Sequence, residues 1–384
     1  MLDALQKGVE TTQAWFARNL KGDPWLWGVA LFLLIGGVPV VYSASVMESY
    51  LEYNGDTEYL LYKQIQSAAL AILVMYIVHL IPYTKFVIFS RLGVWVSVIL
   101  LVFTFVKGVS VNDASRWVEI PFVNRRFQPS ELAKVALIAH LALVLARRFK
   151  SGWTGFEVLL EPMVMVGIVC ALIFRSNIST AALLGATCFM MMYVGKLPKR
   201  YLFATFAVFL FFSTMFVMLN FGERGGTAVN RIQRFFDDNK VEYQASHSFI
   251  ALARGGLTGE GVANSRQRRY LPHSNSDFIF AIIVEEYGTL GALGVIGAFL
   301  LLLYRGVKAI EKPKRPYGGL LSAGLTFSIV FQAFATMGVT VGLLPVTGQT
   351  LPFISMGGTS MLFTGLAMGI ILSVSRGELE EKEI

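Results

Sequence analysis

LPHSNSDFIFAIIVEEYG, residues 271–288, is where a long polar, basic segment gives way to an apolar helix, and a lone carboxylate, Asp277, stands at the junction. An ionisable group at the boundary of the hydrocarbon costs free energy unless it is paired or solvated, so its presence there points to function. Asp is equally a favoured helix N-cap whose charge suits the helix dipole, and position alone weighs the two readings evenly.

Outward from that junction, composition sets the class. Of 384 residues, 55% are hydrophobic and 15% charged, with a mean hydropathy of +0.59. Apolar runs recur near the roughly 20 residues needed to cross a bilayer. An all-α, polytopic membrane protein is predicted, and a soluble multidomain chain is excluded. The runs fall at 25–45, 61–81, 86–106, 130–146, 157–174, 178–195, 201–220, 278–304, 318–341 and 355–375, which predicts ten transmembrane helices. Residues 1–22 mix charges with scattered Leu and Trp, the pattern of an amphipathic arm on the membrane rather than a cleavable signal peptide. Residues 23–376 form the membrane domain and 377–384 a tail. Lys and Arg in the short loops, such as Lys85, Arg91, Arg147, Arg148, Lys199 and Arg200, place both termini in the cytoplasm. Cys170 and Cys188 lie inside apolar runs and read as small hydrophobes, while four dispersed histidines predict no metal cluster.

Two segments on the predicted outer side are rich in arginine. VSVNDASRWVEIPFVNRRFQPSELAK, residues 109–134, carries Arg116, Arg125 and Arg126; the large loop 221–276, between spans seven and eight, carries Arg254, Arg266, Arg268 and Arg269 among others. Arginine there has no orienting role, and guanidinium groups bind phosphate through charge-assisted, often bidentate hydrogen bonds. An anionic, membrane-bound substrate is one reading, and contact with anionic lipid headgroups is the other. Trp117 is an interfacial anchor or a stacking surface for a sugar. Pro129 and Ser130 start a helix on which Glu131 and Lys134 fall three apart on one face, so an ion pair is expected, either a structural bridge or part of a site.

Along the helix after Asp277, Glu285 and Glu286 lie about 12 Å further on at helical rise, turned roughly 80° and 180° from it. Glu286 is expected to be a buried structural group and Glu285 a weaker candidate for chemistry. Gly288, Gly291, Gly294 and Gly297, and the pair Gly365 and Gly369, predict close helix packing. ARGGLTGEG, 253–261, has the wrong spacing for a dinucleotide loop and reads as turn glycine. The uncharged turn 342–360 lines a cavity mouth or is a rigid outer turn.

Three of these stretches carry a resemblance. RWVEIPFVNRRFQPSELAK, GEGVANSRQRRYLPHSNSDFIFAIIVEEYG and LLPVTGQTLPFISMGGTS, collinear with VYSAS at 41–45, resemble the signature regions of the SEDS family of bacterial shape, elongation and division proteins, and the wording of the last is nearer the division (FtsW) than the elongation (RodA) members. The resemblance implies a ten-helix fold and a peptidoglycan glycosyltransferase that polymerises lipid II outside the cytoplasmic membrane, with Asp277 the essential carboxylate. From their placement, substrate contacts are expected at Arg116, Trp117, Arg126, Gln128, Ser130, Glu131, Lys134, Arg266, Arg268 and Arg269, and Asp277 is expected to be the general base or the ligand of a divalent cation, Mg²⁺ or Mn²⁺. The implied partners are lipid II and the nascent glycan strand, membrane lipid, a class B penicillin-binding transpeptidase and other divisome membrane proteins, at the septum; nucleic acid is not among them. Where many family members have Gln-Pro-Asp-Leu-Gly-Thr, this chain has Arg175 to Thr180, with Asn177 at the acidic position. Asn177 is therefore kept out of the catalytic set. A lipid flippase is the other function class, against which no internal repeat with matching broken helices is found. A recruiting scaffold is the third, disfavoured by the ionisable cluster.

Overall fold

The structure, a computed structural model, describes residues 20–107, 109–111, 114–120, 125–151, 157–218, 231, 235, 242–271, 274–308, 310 and 316–380. Most of the N-terminal arm, most of 221–241, the end of the tail and the side chains of Arg116 and Arg126 lie outside that description.

The described residues form twelve α-helices in the order α1 (Pro24–Ala44), α2 (Val46–Glu52), α3 (Thr57–Leu80), α4 (Phe86–Lys107), α5 (Pro129–Ser151), α6 (Glu157–Ser176), α7 (Ile178–Val194), α8 (Lys199–Met218), α9 (Tyr243–Gly255), α10 (Ile279–Lys308), α11 (Pro316–Thr340) and α12 (Gly358–Glu380). Seven of them, α1, α3, α4, α5, α10, α11 and α12, are long and apolar enough by length and composition to cross a membrane. Helix starts follow local chemistry. Asp23 accepts from Trp25 N–H at 2.9 Å ahead of Pro24, Asp56 accepts from Tyr59 N–H at 3.0 Å, and Asn177 accepts from Thr180 N–H at 3.2 Å. Asn177 thus serves as the N-cap of α7, a role that Asn and Asp perform about equally well.

α5 and α11 are buried on nearly every face, whereas α4 turns Ile88, Phe89, Leu92 and Trp95 outward. α12 lies against α3 through Gly365 and Gly369: a Cβ at either would stand 2.6 Å from Ala71 O or 2.9 Å from Met75 O. Close packing holds for that pair and, in the other glycine series, for Gly288 against the backbone of Leu257 and Gly259, but not throughout that series. Gly294 and Gly297 face open space, and Gly288 has φ 67°, ψ −166°, which breaks α10.

The helical body carries one addition. Between α4 and α5, β1 (Val109–Val111), β2 (Ala114–Ile120) and β3 (Arg125–Phe127) form an antiparallel sheet in the order β1-β2-β3. Its register places Arg126 opposite Glu119. Phe127 packs on Phe363 of α12, with ring centroids 5.7 Å apart, and so ties the sheet to the bundle.

α1 and α10 provide a ruler. Arg305 Nη1 meets Asp23 Oδ2 at 3.2 Å at one end, and Ser43 Oγ donates to Glu286 at the other. Ser43 follows Asp23 by 20 positions and Arg305 follows Glu286 by 19, so each arm spans about 30 Å, the thickness of the hydrocarbon. Glu286 therefore sits level with the end of α1, and the helical piece before the Gly288 kink is not needed to cross the membrane. The break follows Glu285 and Glu286, so both remain on the helical piece that starts at Ile279, at the rise from Asp277 that the sequence predicts.

Candidate functional site

Asp277 belongs to a turn, residues 274–278, that is clamped from two sides. From α1 and α2, Ala44 O accepts from Ser274 Oγ at 2.9 Å, Ser45 Oγ accepts from Asn275 Nδ2 at 3.1 Å, and Glu48 accepts from the same amide. From the other side, Met356 N–H donates to Asn275 O at 2.9 Å and Ser355 Oγ donates to Ser276 O at 2.6 Å. These bonds bring VYSAS, the 271–288 stretch and the 342–360 turn to one corner. α10 starts at Ile279, so Phe278 holds the N-cap position and Asp277 stands one residue before it. The Asp277 carboxylate is half-buried and accepts from Ser276 Oγ at 3.1 Å. Beside it is Gly348, exposed and at φ +66°; a Cβ there would come within 3.6 Å of Asp277 Oδ2. A residue with a side chain would be strained at that φ and would narrow the approach to the carboxylate.

Glu285 and Glu286 do different work. Glu285, fully buried, takes the hydroxyl of Ser265, Arg266 N–H at 3.0 Å and Gln267 N–H at 3.2 Å. It gathers the start of the short 3₁₀ turn Gln267–Arg269, and the weaker candidacy of Glu285 for chemistry gives way to this anchoring role. Glu286 takes Ser43 Oγ, and Arg268 Nη1 donates to that same Ser43 Oγ at 2.9 Å.

The segment 253–261 turns through Gly256, Gly259 and Gly261, all at positive φ, as turn glycine predicts, and it is also fixed to α10. Glu260 N–H and Gly261 N–H donate to Glu285 O (2.8 Å) and Glu286 O (3.1 Å), while Thr289 and Leu290 N–H donate to Gly256 O (2.9 Å) and Leu257 O (3.2 Å). The kink frees these four groups of α10 and the loop satisfies all four, as a buried break in a helix demands. Backbone lies directly on backbone: a Cβ at Gly259 would stand 2.1 Å from Glu286 O, and one at Gly288 2.3 Å from Leu257 O.

The candidate arginines divide accordingly. Arg268 is spent on Ser43, and Arg254 forms a double-donor bridge to Glu260 at 2.8–3.1 Å. Arg266 and Arg269 are exposed, with Arg266 reaching Glu260 at 3.9 Å. Arg231 Nη1 donates to Val346 O at 3.1 Å, which brings the long loop to the turn beside Gly348. Trp117 is half-buried on β2. Gln128 lends its carbonyl to Glu131 N–H at 3.1 Å as α5 begins, and Ser130 is buried.

The expected ion pair forms: Lys134 Nζ lies 2.9 Å from Glu131 Oε1, both nearly buried. Sequence reasoning missed its third member, Gln332 of α11, whose Oε1 accepts from Lys134 Nζ at 3.0 Å. The available signal was a lone amide in the apolar run TFSIVFQAFAT. The three line a cleft with Pro352, Phe363 and Thr364.

Among the described residues no three His, Cys, Asp or Glu side chains cluster as a metal cage. Mg²⁺ commonly binds through one or two carboxylates plus substrate phosphates, so Asp277 fits as a ligand for a cation that arrives with a phosphorylated substrate. Such an ion would neutralise charge growing on a leaving phosphate.

Spans, an arginine-bearing extramembrane segment and a half-buried carboxylate at their junction define a multi-pass helical membrane protein with a site at one end of its bundle. The family model described as cell cycle protein, FTSW_RODA_SPOVE, matches residues 24–380, and the chain belongs to this family. It is 32% identical over 354 residues to a probable peptidoglycan glycosyltransferase FtsW of Geobacter metallireducens, covering 90% of this chain and 92% of that one. It is 31% identical over 360 residues to the stage V sporulation protein E of Bacillus subtilis, covering 91% and 95%. Its fold matches a chain of a peptidoglycan synthase complex that coordinates polymerization and crosslinking (TM-score 0.72, 24% identity, 93% of this chain and 98% of that one). It also matches the rod shape determining protein RodA of Thermus thermophilus (TM-score 0.66, 25% identity, 92% and 97%).

Proposed function

We propose that this chain is a peptidoglycan glycosyltransferase of the FtsW type, polymerising lipid II at the outer face of the cytoplasmic membrane and releasing polyprenyl pyrophosphate. The observation that carries the reading is Asp277: half-buried, one residue ahead of the N-cap, and beside the exposed Gly348 at the corner where VYSAS, the 271–288 stretch and the 342–360 turn meet. Relatives named for this activity align with nine-tenths of the chain.

The chemistry needs one carboxylate. The acceptor sugar hydroxyl attacks the anomeric carbon of the donor; the new glycosidic bond forms as the bond to pyrophosphate breaks. Asp277 takes the hydroxyl proton. Negative charge collects on the departing pyrophosphate, already a weak base, so cationic groups suffice to stabilise it and a second, acidic carboxyl is unnecessary. Arg266 and Arg269 are the described guanidinium groups exposed for that purpose; Arg116 and Arg126, expected from the sequence to contact the same pyrophosphate, have side chains outside the described residues. Glu131 and Lys134 set the wall behind the site. Both termini face the cytoplasm, and the partner is a class B penicillin-binding transpeptidase at the division septum.

The test is Asp277→Asn in the purified, folded protein with lipid II. Polymerisation falls by about 100-fold or more, the scale of general-base removal. Retention of most of the rate would return Asp277 to a structural role.

A further inference from the structure

Gln332 uses both ends of its side-chain amide, and each end meets a different part of the site. Its Oε1 accepts from Lys134 Nζ at 3.0 Å, and its Nε2 donates to Thr350 O at 2.9 Å. The residue is 7% exposed; its bond to Lys134 is buried and its bond to Thr350 partly so. Lys134 is already paired with Glu131 at 2.9 Å on α5, while Thr350 belongs to the turn that carries Gly348 past Asp277. A second set of bonds from the same stretch of α11 reinforces the hold. Thr336 Oγ1 donates to Gln332 O at 3.0 Å and lies 3.3 Å from Gln349 O, and Gln349 Nε2 donates to Thr180 Oγ1 at the start of α7. The turn 348–350 is thus held by side chains from α7 and α11.

We infer that Gln332 is a positioning residue for glycosyl transfer: it carries the fixed location of the Glu131–Lys134 pair across to the Thr350 carbonyl and so holds the Gly348 backbone at its distance from Asp277. The inference rests on the reading of Asp277 as the base. An amide is the side chain this place requires, because Lys134 has donors only and a carbonyl accepts only; the bridging group must accept at one end and donate at the other. Glu can serve the first contact but sets an oxygen against Thr350 O. Met fills the volume and serves neither. Displacement of a base by about 1 Å is enough to cost a large factor in rate, so loss of the bridge acts on turnover rather than on substrate affinity.

The experiment compares Gln332→Met, Gln332→Glu and Asp277→Asn in the purified full-length chain, measuring kcat and KM for lipid II per folded molecule and the thermal midpoint of each. Gln332→Met and Gln332→Glu both lose tenfold or more in kcat with KM within twofold of the parent. Parent kcat in the Met variant overturns the proposal, as does full rescue by Glu, which would mean that the Lys134 contact alone matters. A raised KM at unchanged kcat overturns it in favour of substrate binding, and a loss that vanishes when rates are expressed per folded molecule overturns it in favour of a purely structural role. If Asp277→Asn keeps its rate while the Gln332 variants lose theirs, the base reading fails and the bridge stands as a support of the turn alone.

Discussion

Asp277 and Glu285 stand eight positions apart in one stretch of sequence, yet their surroundings are opposite. Glu285 has no exposed surface and is wrapped by a hydroxyl and two backbone N–H groups whose geometry the 3₁₀ turn fixes. Asp277 keeps part of its surface open, has Ser276 Oγ on one oxygen and faces a glycine. A carboxylate whose lone pairs are filled by the chain is committed to holding that chain. One that keeps part of its surface exposed can meet a reactant and take a proton from it. Their charge is the same; the difference lies in what surrounds each.

The contrast can be broken most forcefully at Glu285. Glu285→Ala strips the acceptor from Ser265, Arg266 N–H and Gln267 N–H at once, and about 3–5 kcal/mol of stability is expected to go, the scale for removing one partner from a buried charged network. Thermal unfolding in detergent measures it. Asp277→Asn shows the converse, a rate loss worth about 2.7 kcal/mol at 100-fold with the midpoint almost unmoved. If the stability loss fell on Asp277 and the rate loss on Glu285, the two assignments would exchange.

Gly288→Ala comes next. It puts a side chain at φ 67° and 2.3 Å from Leu257 O, so the exchange of four backbone hydrogen bonds between loop and helix must loosen. A cost of about 1–3 kcal/mol is expected, together with faster amide hydrogen exchange at Glu260 and Thr289. Unchanged protection at those amides would show that the loop does not depend on the kink.

The smallest effects separate the arginines. Arg266→Ala and Arg269→Ala each raise KM for lipid II by about threefold to tenfold, or roughly 1 kcal/mol, with Lys restoring part of the loss because a single ammonium lacks the guanidinium fork. Arg268→Ala should instead lower the thermal midpoint, since its guanidinium is engaged with Ser43. Equal KM effects at all three would erase the division between anchoring and exposed arginines.

Much of the architecture was legible beforehand. Apolar runs of span length, the helix entry at Pro129 and Ser130, and the Glu131–Lys134 pair follow from local rules of spacing and capping, and the structure contains them. The 109–127 sheet was not read, since three short strands beside long helical periods leave little signal. Gly288, Gly291, Gly294 and Gly297 looked alike in sequence, but one breaks a helix and two face open space.

Residue type and order were enough to establish the membrane class, the family and the singular position of Asp277, because hydropathy, capping and motif spacing are local properties that a linear text preserves. The partner of each polar group was not recoverable that way. Gln332 and Thr350 are 18 positions apart, Ser43 and Arg268 225, and Lys134 and Gln332 198. Which carboxylate is sealed inside and which keeps exposed surface depends on those distant encounters, since a buried hydrogen bond requires its donor and acceptor within about 3 Å, and packing of the helices alone brings them there.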